Sequence, residues 1–369
     1  MATQKIPGRA IKLGTDTAGD VTYFDGAAWQ RLPIGTAGQY LTMNETETAP
    51  QWGPGCVFPG TQSGYACGGY IGPGAIYSKS INKFSLATDG DATGIGDLTQ
   101  ASGKRFVSGH SSTTHGYVTG GNTGPSVSYN IIERFSFTTD GNSVDWADLI
   151  SARTRLIPVS SCTHGFTLGG GDEQSPANTI NSIQKFPFAS ETDATDWADA
   201  TQRKYAGAGC SSETHGYSLG GVEQTTPAGV IVNVIEKFPY ATQTNATDVG
   251  DLTVVRHSPG GVSSETYGYA AGGFVQLPTA PNQDFNVIDR VSFASGGNAT
   301  DHGDLSETKR HLAGIASSTH GYIVGGTGII SSADVILSTI DKFAFAANVT
   351  ATDIGDITVG ADGMSGHQF

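Results

Sequence analysis

The chain has 369 residues and a formal net charge of −14, and its 52 glycines are about twice the usual share of roughly 7%. Thirty-four Asp and Glu against 20 Lys and Arg leave no basic surface for nucleic acid. Collagen is excluded because glycine follows no three-residue period, and a membrane-spanning helix because no apolar run approaches 18 residues. Glycine at this density also disfavours helices, by about 1 kcal/mol per interior position. The opening MATQKIPGRAIKLG lacks the apolar stretch of a secretory signal. The expectation is a turn-rich, all-β, soluble protein, with no membrane insertion.

Residues 1–55 read as a first unit. Alternating VTYF and QYLTM segments around Asp25-Gly26 and a Gly-Thr-Ala-Gly loop predict short hairpins. So few large apolar side chains bury too little surface to fold alone, so the unit needs the rest of the chain, another copy or a larger assembly. The pattern YFDGAAWQRLPIG-TAGQYLTMN…APQWG is similar to a short module of bacteriophage tail fibres and other appendages. That resemblance implies a trimeric attachment module contacting other virion proteins.

From residue 56 onward the chain repeats. GYACGG at Gly64–Gly69 returns as HGYVTGG, HGFTLGG, HGYSLGG, YGYAAGG and HGYIVGG, with the second glycine at 69, 121, 170, 221, 273 and 326. Each copy continues through a variable stretch into an alternating segment: INKFSL, IERFSF, IQKFPF, IEKFPY, IDRVSF and IDKFAF. Apolar residues at i, i+3 and i+5 predict a half-buried strand whose charged i+1 and i+2 turn outward. A turn rich in Asp, Asn, Thr and Gly then leads into a short strand of the Asp-Leu-Thr type, and a small-residue segment such as GHSS or GCSS runs into the next copy.

Four short strands in about 51 residues make one antiparallel blade, and the period is that of a β-propeller. The nearly side-chain-free G-x-S-S segment suits the innermost strand, A. HGYxxGG is then strand B, I-x-K-F-x-F strand C, and the Asp-Leu-Thr-like segment strand D. The chain ends inside a strand A, with Gly366–Phe369 in register with Gly314–Ser317, whereas the first complete strand is a B strand at Ser63–Gly69. The expected fold of residues 56–369 is therefore a six-bladed propeller, closed by the C-terminal strand A docking beside the N-terminal strand B. The double glycine, the period and the split closing blade resemble kelch repeats. The Tyr and Trp that kelch repeats place after the glycines are replaced here by I-x-[KR]-F.

The candidate residues divide into recurrent and unique ones. Four B strands begin with His (His115, His164, His215, His320), but Tyr267 and Ser63 take the same place, which points to structure rather than catalysis. Turns such as Asn298–Asp304 read as metal loops or as Asx-type turns, the latter needing no cation. Arg105, Arg153, Arg203, Arg256 and Arg310 precede strand A in five blades. With Asp362 at the sixth place, they form either an anion-binding ring at the pore mouth or ion pairs to the strand D aspartates Asp97, Asp148, Asp199, Asp251, Asp304 and Asp356. The B–C loops do not repeat, and carry Tyr70, Tyr77, Tyr129, Phe274 and Phe285 as sugar-stacking or hot-spot aromatics; the alternative is loop drift without function. Cys56, Cys67, Cys162 and Cys210 share no metal spacing and read as buried thiols in a reducing compartment, the alternative being one or two disulfide pairs.

No catalytic motif, cofactor fingerprint or metal set stands out from the repeat. The expected function is that of a non-enzymatic virion appendage protein, made in the host cytoplasm, whose propeller face meets a host surface glycan or protein. The alternatives are a kelch-type protein-interaction scaffold and, further off, a propeller glycosidase.

Overall fold

The computed structural model describes residues 17–35, 39–43, 49–54, 60–72, 74, 76–124, 127–171, 178–224, 229–276, 283–330 and 333–369. It divides into two compact units, Met1–Cys56 and Val57–Phe369. Both are built from β-strands. In the first unit Val21–Phe24 pairs antiparallel with Trp29–Leu32, and Gln39–Met43 with Pro50–Pro54. Asp25 closes the first hairpin by accepting the Ala27 and Ala28 N–H groups, each at 2.8 Å, with Gly26 at φ +98°.

The second unit contains six antiparallel sheets of the same order, A-B-C-D. The second sheet runs Ser108–Ser111, His115–Thr119, Ile131–Ser136 and Val144–Asp148. The fourth adds a short fifth strand, Lys204–Tyr205. The first sheet is assembled from both ends of the unit: Ser365–Gln368 pairs with Ser63–Cys67, which pairs with Ser80–Ser85, and that with Thr93–Asp97. The Phe369 carbonyl oxygen locks this junction by accepting the N–H groups of Thr61, Gln62 and Ser63 at 2.9, 2.6 and 3.0 Å.

Two expectations about the repeat are corrected. Strand D is the T-D-x-G-D segment itself, for example Thr247–Asp251, so the aspartate placed at its start is its last residue. The residue after it is buried, with its N–H held by the residue just before strand C (in the second sheet, Leu149 to the Asn130 oxygen, 2.7 Å). Second, the i+1 side chains of strand C do not turn outward. Asn82, Glu133, Gln184, Glu236, Asp289 and Asp341 are all at most 3% exposed, and a bulge beside each one re-aims the strand.

Glycine is required where elements approach too closely for a side chain. A Cβ on Gly116 of strand B would lie 2.3 Å from the Phe135 ring of strand C, its cross-strand partner, which links H-G-Y to I-x-K-F. A Cβ on Gly366 of strand A would lie 2.2 Å from the carbonyl oxygen of Gly314, in the strand A before it. The strands A neighbour one another in sequence order, and Ser365–Gln368 lies beside Ser108–Ser111. They enclose a space of about 150 Å³.

Hydrogen bonds between consecutive sheets recur six times. At the outer end, the N–H groups of Ser143, Ala194, Ala246, Ala299, Ala351 and Ala92 donate to the carbonyls of Asp97, Asp148, Asp199, Asp251, Asp304 and Asp356. Between strands B and C the aromatics interlock. Tyr117 stacks on Phe188 of the next sheet at 4.6 Å and donates its hydroxyl to the Phe188 carbonyl at 3.0 Å. Tyr65 and Phe137 repeat the stack at 4.9 Å, and Tyr269 and Phe345 at 5.0 Å.

Cys67 and Cys210 are free and buried, as read from the sequence. Cys162 is disulfide-bonded, which overturns its reading as a thiol. Cys56 lies outside the described residues.

Candidate functional site

The segment from each strand D to the next strand A is the place where the repeat carries different chemistry on one backbone. Its register is set by the second glycine of the B-strand pair, whose N–H donates to Lys104, Arg153, Lys204, Arg256, Lys309 and Ala361 in turn. The five arginines singled out from the sequence therefore do not form one ring. Arg153 and Arg256 hold this first position, Arg105 and Arg310 the next, and Arg203 the one before it.

The first position is structural. Lys104 pairs with Glu133, Lys204 with Glu236 and Arg256 with Asp289, all at 2.6 Å, and Lys309 with Asp341 at 3.1 Å; none of these side chains is exposed. The partners are strand C acids, not the strand D aspartates expected. Each strand C acceptor also takes the N–H of the residue two beyond strand D (Thr99, Ile150, Thr201, Thr253, Ser306 and Thr358), so one side chain ties strand C to the chain leaving the preceding strand D. Where the link has the neutral Ala361, strand C has the neutral Asn82.

The third position faces the centre. Phe106, Arg155, Ala206, Ser258 and His311 have φ between +51° and +58°, and Gly363 has +66°. Their backbones are joined in sequence: Arg155 N–H donates to Phe106, Ala206 to Arg155, Ser258 to Ala206, His311 to Ser258 and Gly363 to His311, at 2.6–3.1 Å. Val107 N–H donates to the Gly363 carbonyl at 3.3 Å and completes the series. A left-handed backbone costs an L-residue roughly 1 kcal/mol relative to glycine, so five of these six places carry side chains at an energetic loss. Those side chains line an open depression at the end of the strands A.

Around this depression the charges are mostly positive. The Arg155 and Arg105 guanidinium groups stack on the Phe106 ring at 4.0 and 4.5 Å, and the His311 ring meets its edge at 5.1 Å. Arg105 also lies 5.2 and 5.8 Å from the Tyr70 and Tyr77 rings. Arg310 makes two bonds to Asp284 and one to Asp334, each 2.8 Å, and stacks on Phe274. Burial, then the surrounding cations, holds His311 well below the usual imidazole range, and His257 is brought down to about 4 by burial with Arg155 and Arg310. Both rings are therefore neutral at physiological pH. Asp362 is 6% exposed and takes the Thr327 hydroxyl at 2.6 Å; burial pushes its carboxyl up despite the arginines nearby.

The other sequence candidates lie at or away from this mouth. Tyr70 and Tyr77 pack together at 5.7 Å, and Tyr70 exchanges backbone bonds with Asp362. Tyr129 bonds Thr123, and Phe285 is tied by its N–H to Gly273. Arg153 bonds the Asn178 carbonyl at 2.7 Å, Arg203 is exposed, and Arg256 is fully buried and faces no solvent. Large parts of the B–C loops, 172–177, 225–228 and 277–282, lie outside the described residues. Sequence reading missed Phe106, Arg155, His257 and His311. Counting three residues back from Gly109, Pro158, Gly209, Gly261, Gly314 and Gly366, the second residue of each strand A, reaches Phe106, Arg155, Ala206, Ser258, His311 and Gly363, with His257 one residue earlier in its link.

The recurrent histidines are fixed by local bonds: His115, His164, His215 and His320 each hold the preceding threonine hydroxyl on Nδ1 at 2.8 Å. The acidic turns fasten sheets. Asn142, Asp193, Asn245, Asn298 and Asp91 each accept a strand D N–H from the neighbouring sheet at 2.9–3.1 Å. No group of three or more metal-ligating side chains occurs among the described residues. No known protein family's sequence model matches this chain, and no curated protein matches it.

Proposed function

We propose that the chain is a non-enzymatic appendage protein of a bacteriophage virion, in which residues 57–369 form a closed six-bladed, kelch-like propeller that recognises a molecule of the host surface. The observation that carries this reading is the contrast between scaffold and mouth. The six sheets share their bonds, their aromatics and their glycines almost without change. The third link position and the B–C loops differ in every sheet, on one face, and hold non-glycine side chains where the backbone favours glycine. Repeat folds place variation of that kind where they contact partners.

The first unit serves in this proposal as the attachment and oligomerisation module. Its Phe24, Trp29, Ile34 and Leu41 are all at least 44% exposed, apolar surface suited to copies of itself or to other virion proteins. The test is binding of the labelled full chain to a panel of bacterial cells and to a glycan array, with native mass measurement alongside. Saturable binding to some strains by a trimer supports the proposal. A monomer that binds no cell or glycan but captures an intracellular protein at stoichiometric ratio replaces it with the scaffold reading.

A further inference from the structure

We infer that the depression ringed by the left-handed residues binds an acidic saccharide, with its anionic group on the Arg105 side of Phe106 and its sugar ring toward Tyr70 and Tyr77. This rests on the host-recognition reading above and names the ligand class for it.

Three observations carry the inference. Phe106 keeps a large ring on a backbone at φ +51°, where the equivalent Gly363 has none, and that ring gathers two guanidinium groups. Strain of this kind persists where a side chain is needed in one place. Arg105, unlike Arg310, has no carboxylate within ion-pair distance among the described residues, and its buried Nε has no hydrogen-bond partner. A planar guanidinium held by aromatic faces, with donors unspent, is suited to bidentate capture of a carboxylate or sulfate. Finally, the His311 Nδ1 and Asp362 Oδ1 atoms are buried at the same place without hydrogen-bond partners, as a donor–acceptor pair that a sugar hydroxyl can serve at once. His311 Nδ1 lies 3.9 Å from Asp362 Oδ2, the oxygen that takes the Thr327 hydroxyl, too far for a direct bond. Asp362 opposes an anion set directly over it, so the anionic group belongs at Arg105 and the hydroxyl-bearing ring edge at Asp362.

The ligand is tested on the full chain by saturation-transfer NMR and calorimetry with D-glucuronate, glucose 6-sulfate, glucose and inorganic sulfate. Binding of one or both acidic sugars with none of glucose supports the inference, and the better of the two identifies carboxylate or sulfate as the anionic group. Arg105→Gln weakens that binding at least about tenfold, the scale of one charge-assisted hydrogen bond. Phe106→Gly abolishes the stacking platform while relieving backbone strain, so it loses binding in a folded protein. Lys83→Gln, on a surface ion pair with Asp140, leaves affinity unchanged. Equal binding of inorganic sulfate, equal binding of glucose, or no binding at all overturns the inference. Cell attachment that survives Arg105→Gln with no acidic sugar bound defeats this inference alone; acidic-sugar binding by a chain that attaches to no cell defeats the host-recognition reading instead.

Discussion

The Lys204 ammonium lies 2.6 Å from a carboxylate oxygen of Glu236, and neither side chain has any solvent exposure. The other Glu236 oxygen takes the Thr201 N–H and hydroxyl, so one carboxylate ties the link, strand C and the chain arriving from the preceding sheet. Lys204→Met strands that charge in the interior and is expected to destabilise the protein by about 3–5 kcal/mol. Adding Glu236→Gln restores most of the loss, because Ala361 with Asn82 and Arg153 with Gln184 already show uncharged acceptors at the same site. Urea unfolding of the single and double variants measures both; a double variant no better than the single one refutes the explanation.

Removing the left-handed penalty raises stability. Ala206 has φ +55° and little side chain to lose, so Ala206→Gly is expected to stabilise by about 1 kcal/mol. A lower urea midpoint in that variant contradicts the strain assigned to the ring.

Acid weakens the junction between the two ends of the second unit. Burial holds His367 at about 4 and His110 at about 3, against about 6.5 in an unfolded chain. His367 donates from Nδ1 to the His110 carbonyl and accepts the Ser365 hydroxyl on Nε2, roles that only the neutral ring fills. Their folded values are depressed, so the unfolded chain binds more protons below pH 6.5. The stabilisation is complete above about pH 6.5 and is lost as pH falls through about 4 and then about 3. His367→Gln flattens that dependence, and amide exchange at Ser365–Gln368 accelerates with acid earlier than at Ala208–Ser211. Identical exchange profiles for the two strands refute the assignment.

Loss of the final strand has a larger effect than its length suggests. Deleting residues 365–369 bares the edge of Ser63–Cys67, removes the Phe369 stack on Phe137 at 5.5 Å and frees three N–H groups. The expected result is an aggregating chain, since an unpaired apolar strand edge templates further pairing. A monodisperse elution profile and unchanged melting temperature in the truncated protein would contradict it.

What the sequence revealed follows from which features repeat. The strand pattern, the register of the last strand and the N-terminal hairpin were legible because glycine pairs, I-x-K-F and Asp-Gly report local geometry directly. The buried Glu133 and Asp289 were not, since alternation marks a charged side chain as outward and cannot foresee a partner such as Lys104 or Arg256 from another segment. The left-handed ring hid for a different reason: Phe106, Arg155, Ala206, Ser258 and His311 share a backbone angle and no chemistry. Aligning the links on arginine then shifted Arg105, Arg203 and Arg310 out of register, because backbone bonds to the glycine pair, not side-chain identity, define equivalence there.

The three N–H groups of Thr61, Gln62 and Ser63 gripping the Phe369 oxygen have a mechanical meaning. Tension applied through residue 60 runs along Ser63–Cys67 and meets the pairs on both its flanks lengthwise, so many bonds must slide together before any one gives. The place where the two ends of the second unit meet without a covalent link thereby becomes a clamp against pulling.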